Sequence, residues 1–182
     1  SFLSGDYSLA LGEYREIIEA KTAELFRVSC FLGANLSNRD DVTCKLLGEF
    51  GRRLGVTYQI FDDLADVFGQ EQTLGKTLGR DLAHGKVTLP TIKLLAKLPQ
   101  SKSAALLESV RHSIPEANKE AILKVHELLE RYDVLDDCSD FLIQELEAVG
   151  SILEKLEDDV LAARLEEFRM VILARLQTLG NA

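Results

Sequence analysis

The sequence predicts an all-α fold. Apolar residues recur close to a 3.6-residue period along most of the chain. No segment shows the strict apolar–polar alternation of a half-buried strand. Proline and glycine cluster at a few boundaries, with only three prolines in 182 residues.

Each helix can be justified in turn. From Leu9 to Leu36 the residues Tyr14, Ile17, Ile18, Ala20, Leu25, Val28, Phe31 and Leu32 form one apolar stripe. Asn38 and Asp40 are candidate N-caps for a second helix reaching about Phe68, with Leu46, Leu47, Phe50, Leu54, Tyr58 and Phe61 on its apolar side. Gly48, Gly51 and Gly55 lie on one side of it. Glycine costs ~1 kcal/mol against alanine inside a helix, so three together point to close approach of a neighbouring helix or a ligand. Residues 69–87 are a long break with Gly69, Gly75, Gly79 and Gly85, and a loop of that length inside a domain is usually functional. Thr88 is a candidate cap for the next helix, with Pro90 tolerated in its first turn. Further helices are expected at about 89–98, 102–112, 116–131, 134–154 and 157–179, bounded by Pro99, Pro115 and Gly150. The expectation is a bundle of about seven or eight helices, with residues 1–182 forming one domain.

Apolar residues make up 46% and charged residues 28%, ordinary for a soluble globular protein. No run approaches the roughly 18 apolar residues of a membrane span, and the first residues show no basic n-region or cleavage pattern. The net charge of -9 comes from residues 127–182, which carry 14 acids and 5 bases; residues 1–126 carry 16 of each. With no basic stripe, nucleic acid is not an expected partner, and the acidic end reads as the solvated face of amphipathic helices. Cys30, Cys44 and Cys138 lack C-x-x-C spacing, which fits reduced thiols of a cytoplasmic protein rather than zinc ligands.

Residues 58–92 carry the chemistry. Asp62, Asp63 and Asp66 sit at i, i+1 and i+4, so Asp62 and Asp66 share a helix face. Magnesium takes oxygen ligands, typically one or two carboxylates completed by water and substrate phosphate. A solvated acidic face is the competing reading, but the flanks Val56, Tyr58, Ile60, Phe61, Leu64, Val67 and Phe68 are apolar. Carboxylates in such a run are costly unless they meet a wet cavity or a cation. Gln59 lies one turn earlier and can hydrogen-bond at the same place. Lys76 and Lys86 flank the glycine-rich loop, where ammonium groups and close backbone suit phosphate oxygens. Asp81 between them reads as a loop anchor. Lys21-Thr22 sits mid-helix, where a β-branched threonine is mildly unfavourable. Asp40-Asp41, Asp136-Asp137 (with Asp140) and Asp158-Asp159 read as helix-start or solvated carboxylates. A P-loop, a dinucleotide fingerprint and serine or cysteine nucleophile motifs do not occur.

These residues resemble the trans-isoprenyl diphosphate synthases, the polyprenyl synthetase family. The likeness lies in Lys21-Thr22, in Gln59 with Asp62, Asp63 and Asp66, and in the G-K…G-x-D-L…G-K-x-T-L-P block with Lys76, Asp81, Lys86 and Pro90, in matching order and spacing over residues 14–95. The resemblance implies an isoprenoid-synthase-like helical bundle around a central cavity, with two aspartate-rich motifs facing each other and binding Mg2+. It implies that Lys21, Lys76 and Lys86 stabilise a departing allylic diphosphate, while Thr22 and Gln59 support the reacting end. The resulting allylic cation is attacked by isopentenyl diphosphate, a proton is lost, and the product is five carbons longer. It also implies a homodimer.

The departure from the family is the first aspartate-rich motif, which nothing in residues 1–57 matches. The chain begins with Ser1 and its sole methionine is Met170. The expectation is therefore the C-terminal portion of a prenyltransferase, inactive alone. The alternatives are a non-catalytic partner subunit of a prenyl synthase, and a terpene cyclase, which the Lys76…Lys86 block disfavours.

Overall fold

The structure, a computed structural model, describes residues 7–69, 81, 86–111 and 119–179. Among these residues all regular secondary structure is helical, as the periodicity predicts. The first rod is α1 (Tyr7–Ile18), a π-helical turn (Glu19–Ala23) and α2 (Glu24–Leu36). Then come α3 (Asp41–Phe68), α4 (Leu89–Lys97), α5 (Gln100–Arg111), α6 (Lys119–Arg131), α7 (Val134–Leu153) and α8 (Asp159–Leu179). No helix among the described residues is long and apolar enough to cross a membrane.

Local chemistry sets the helix ends. Asp40 caps α3: one carboxylate oxygen accepts the N–H groups of Val42 (2.9 Å) and Thr43 (3.0 Å), and the other accepts the Thr43 hydroxyl at 2.7 Å. Those bonds, Thr43's first, hold the Asp40 carboxyl below its usual range. Asn38 does not cap; it takes the left-handed conformation (φ 54) that ends α2. Asp158 caps α8 by accepting the Leu161 N–H at 2.9 Å. Thr88 stands in extended conformation before α4 and makes no side-chain cap bond, while Pro90 occupies the first turn. Asp136 and Asp137 fall in the first turn of α7, where carboxylates favour the helix dipole. The expectation of one unbroken helix from Leu9 to Leu36 is corrected at Glu19–Ala23. There the Glu24 N–H reaches back five residues to the Glu19 carbonyl, which inserts one residue into the turn.

The helices group into two compact units interleaved along the chain. The first comprises residues up to 14, 62–139 and from 179 onward. Its α4 is buried along most of its length through Leu89, Pro90, Thr91, Ile92, Leu94 and Leu95, and its last two residues are exposed. The end of α4 is tied down by Lys97, whose ammonium donates to the Tyr132 carbonyl at 2.7 Å and pairs with Asp137 at 2.7 Å. The buried Ser103 hydroxyl lies 3.1 Å from the Leu95 carbonyl, satisfying one of the last groups of α4.

The second unit comprises residues 15–61 and 140–178. Here the glycines of α3 meet a neighbouring helix rather than a ligand. A Cβ on Gly51 would stand 2.5 Å from the Phe26 carbonyl oxygen, and one on Gly55 would stand 2.6 Å from the Ala23 Cα. Backbones this close require glycine. Arg15 closes a fork onto Glu145 with bonds of 2.7 and 3.0 Å, joining α1 to α7. Arg52 reaches Glu19 at 2.7 Å, and Arg39 pairs with Asp158 at 2.9 Å. Glu145 is only 9% exposed, and Arg53 gives it a second guanidinium at 3.7 Å, so its charge is paired from two sides.

The glycine seam makes a direct prediction. Gly55→Ala gains ~1 kcal/mol of helix propensity, but overpacking costs about 1–3 kcal/mol or more. The variant should therefore unfold at lower denaturant than wild type. Gly48→Ala is the control, because its Cβ would meet Phe31 at an ordinary 3.5 Å; it should be neutral or stabilising. Equal midpoints for the two variants would refute the tight seam.

Candidate functional site

The last two turns of α3 place carboxylates in an apolar setting. Ile60, Phe61, Leu64, Ala65 and Val67 are buried, and among them Asp63 and Asp66 are only 3% and 5% exposed. Asp62 is half-buried. Burying charge this deeply demands directed donors or a counter-ion.

The first unit supplies donors from two other segments. Tyr14 of α1 donates its phenolic hydroxyl to Asp63 Oδ2 at 2.8 Å. The backbone N–H of Asp81 donates to Asp66 Oδ2 at 3.0 Å. The Asp81 carboxylate in turn takes the Lys86 ammonium at 2.6 Å, and the Lys86 N–H bonds the Asp81 carbonyl at 2.9 Å. Asp81 is thus the loop anchor its position in the sequence predicts, and it brings Lys86 to the aspartates. Lys86 has its pKa raised, first by the hydrogen bond to Asp81 and further by the charges of Asp81, Asp63 and Asp66. Burial first, and then the Asp63 charge, push the Tyr14 phenol far above the usual tyrosine range, so it remains a neutral donor. Burial likewise pushes the Cys138 thiol up to about 12, which removes it as a nucleophile.

The second unit holds the Lys21-Thr22 pair inside the π turn, with Lys21 exposed and Thr22 half-buried. The Thr22 hydroxyl donates to Gln59 Oε1 at 2.7 Å. A π turn inside an α-helix is common at functional sites, and this one accounts for a β-branched threonine in mid-helix. Phe26 and Tyr58 of the same unit meet as a tilted ring pair, their centroids 5.7 Å apart.

Of the residues singled out from sequence, Asp63, Asp66 and Lys86 converge within the first unit, and Thr22 and Gln59 within the second. Asp62 shares the α3 turn with the other aspartates. Lys76 lies outside the described residues. Tyr14 was missed because its ring fits the apolar stripe; the missed signal is that a buried tyrosine hydroxyl needs a partner. Among the described residues no three His, Cys, Asp or Glu side chains are grouped so as to hold a metal ion by themselves. The carboxylates at the end of α3 offer only hard oxygen atoms, with about four lone-pair sites each. That set fits magnesium, which needs few protein ligands when phosphate supplies the rest.

Known proteins share this arrangement of chain. A sequence profile described as polyprenyl synthetase matches residues 3–129. The geranylgeranyl diphosphate synthase of Saccharolobus solfataricus is 34% identical over 143 residues, covering 75% of this chain and 42% of its own length. Heptaprenyl diphosphate synthase component 2 of Bacillus subtilis is 36% identical over 126 residues, covering 69% of this chain and 34% of its own. A polyprenyl synthase from Caulobacter crescentus, crystallised with calcium and isoprenyl diphosphate, superposes with a TM-score of 0.73 at 31% identity, covering 86% of this chain and 47% of that one. The chain thus spans less than half the length of these relatives.

The electrostatics are testable at Lys86. Its raised pKa means that the Lys86–Asp81 bond is fully present below the ordinary lysine value and is lost as pH rises through the raised one. The Lys86 side chain is 57% exposed, so solvent screens the bond and its effect on overall stability is small. Followed by NMR of the lysine side chain, the Lys86 titration should move to lower pH in Asp81→Asn. An unmoved titration would show that Asp81 does not hold it.

Proposed function

The chain belongs to the polyprenyl synthetase family, and on that premise we propose that it forms the C-terminal, diphosphate-binding part of a trans-prenyltransferase. The proposed reaction condenses an allylic diphosphate with isopentenyl diphosphate. The observation that carries the reading is the buried carboxylate turn of α3 linked through Asp81 to Lys86. A structural role alone does not require two buried aspartates within one turn, where each carboxylate raises the cost of the other.

The roles divide by chemistry. Asp62, Asp63 and Asp66 are the residues that would hold magnesium. When bound, the ion supplies Lewis-acid neutralisation of diphosphate oxygens. Lys86, and Lys76 and Lys21 by family likeness, offer ammonium groups to the charge that grows on the departing diphosphate. Asp81 holds Lys86 in readiness through its 2.6 Å bond, a bond that an arriving phosphate competes for. Thr22 fixes Gln59 by donating to its amide oxygen. The proposal extends to a cytoplasmic homodimer, which rests on family likeness.

Condensation also calls for a first aspartate-rich motif on the opposite side of the diphosphate, and the sequence does not contain it. We therefore propose that the chain alone does not turn over. A second reading is a subunit that acts with a partner chain, and the name component 2 of the Bacillus subtilis relative favours it.

The test is incorporation of radiolabelled isopentenyl diphosphate with several allylic primers and magnesium. Residues 1–182 alone should give no product, and the same residues within a longer polypeptide carrying a first aspartate-rich motif should give product. In that active form Lys86→Ala should lower kcat/KM by about 10²–10³-fold, the usual loss for a donor aimed at developing charge. Lys124→Ala, an exposed lysine of α6, should change little. Product from the short chain alone would remove the need for a second motif. No product from either form would reject the synthase reading in favour of the subunit.

A further inference from the structure

We propose that Tyr14 is a positioning residue of this site, holding the Asp63 carboxylate in place for cation binding. The inference rests on the magnesium–diphosphate reading above and adds to it a residue from α1.

The geometry is specific. Tyr14 is 5% exposed and Asp63 is 3% exposed. Their hydrogen bond, at 2.8 Å, joins residues 49 apart in sequence, so it ties α1 to the site end of α3 within the first unit. The donor is neutral. A phenol orients a carboxylate by a hydrogen bond without itself carrying a charge. Outer partners of this kind fix ligand orientation, and their loss typically weakens metal binding about 10–100-fold. The bland alternative is a core tyrosine whose hydroxyl has merely found an acceptor. In that case loss of the hydroxyl lowers stability and leaves cation affinity alone.

Calorimetry separates the two. Magnesium is titrated into the 182-residue chain with and without saturating pyrophosphate. Wild type should bind magnesium more tightly with pyrophosphate present, and Asp62→Ala should bind it more weakly. Tyr14→Phe should lower affinity for magnesium in the presence of pyrophosphate by about 10–100-fold while keeping the wild-type circular dichroism spectrum. In an Asp63→Ala background the same substitution should cause no further loss, since the two residues act as one unit. Wild type without pyrophosphate-enhanced binding would overturn the magnesium–diphosphate reading, and this inference with it. Wild-type enhancement together with unchanged affinity in Tyr14→Phe, or additive losses in the double variant, would overturn the inference about Tyr14 alone. A second measurement needs no variant: the Tyr14 13Cζ resonance of the wild-type chain should shift in step with magnesium–pyrophosphate binding, and a stationary resonance would refute the proposal even if Tyr14→Phe failed to fold.

Discussion

Two carboxylates buried at the end of α3 set the terms for everything around them. Removing a carboxylate from water costs several kcal/mol per ion after relaxation. Asp63 and Asp66 sit one turn apart, so their mutual repulsion adds to that cost. The structure answers with directed donors: the Tyr14 hydroxyl for Asp63 and the Asp81 N–H for Asp66. A hydrogen bond to a charged group contributes about 1.5–3 kcal/mol, so these donors offset part of the burial and leave the charge in place. On the proposed reading, a divalent cation arriving with an anionic ligand completes this oxygen-rich site.

The second unit solves a different problem. α3 must approach the rod of α1 and α2 closely enough for Thr22 to reach Gln59, and the glycines at 51 and 55 permit it. The π turn brings a further adjustment, because one extra residue between Ile18 and Glu24 rotates Lys21 and Thr22 relative to a continuous α-helix. The arginine–glutamate links of Arg15 with Glu145 and Arg52 with Glu19 then hold the neighbouring helices in register. Rigid packing around a polar pair is what a positioned functional group requires.

Much of this was legible in the sequence, and the rest was hidden for physical reasons. Helix existence follows from apolar period, so α3, α4 and α7 fall where the pattern places them. The apolar flanks of Asp62-Asp63-Asp66 marked carboxylates in an apolar run, of which Asp63 and Asp66 are buried and Asp62 half-buried. Asp40 and Asn38 looked alike as caps because both side chains can bond locally; the backbone separates them, with Asn38 in the left-handed region and Asp40 beneath the first N–H groups of α3. The π turn leaves no compositional mark beyond Thr22, since a single added residue barely disturbs an apolar stripe. Tyr14 was invisible as a polar partner because only tertiary structure brings its hydroxyl to Asp63. Asp81 could be named an anchor, but not that it anchors through its backbone to Asp66 and its side chain to Lys86.

The most direct measurement is a crystal structure of the chain with manganese standing in for magnesium and with pyrophosphate. Anomalous scattering then locates the cation independently of any assumption about its ligands. The account predicts cation density bridging pyrophosphate to the Asp62–Asp66 turn, with Lys86 turned from Asp81 toward a phosphate oxygen. Pyrophosphate bound with its cations away from that turn, and Lys86 still on Asp81, would contradict it.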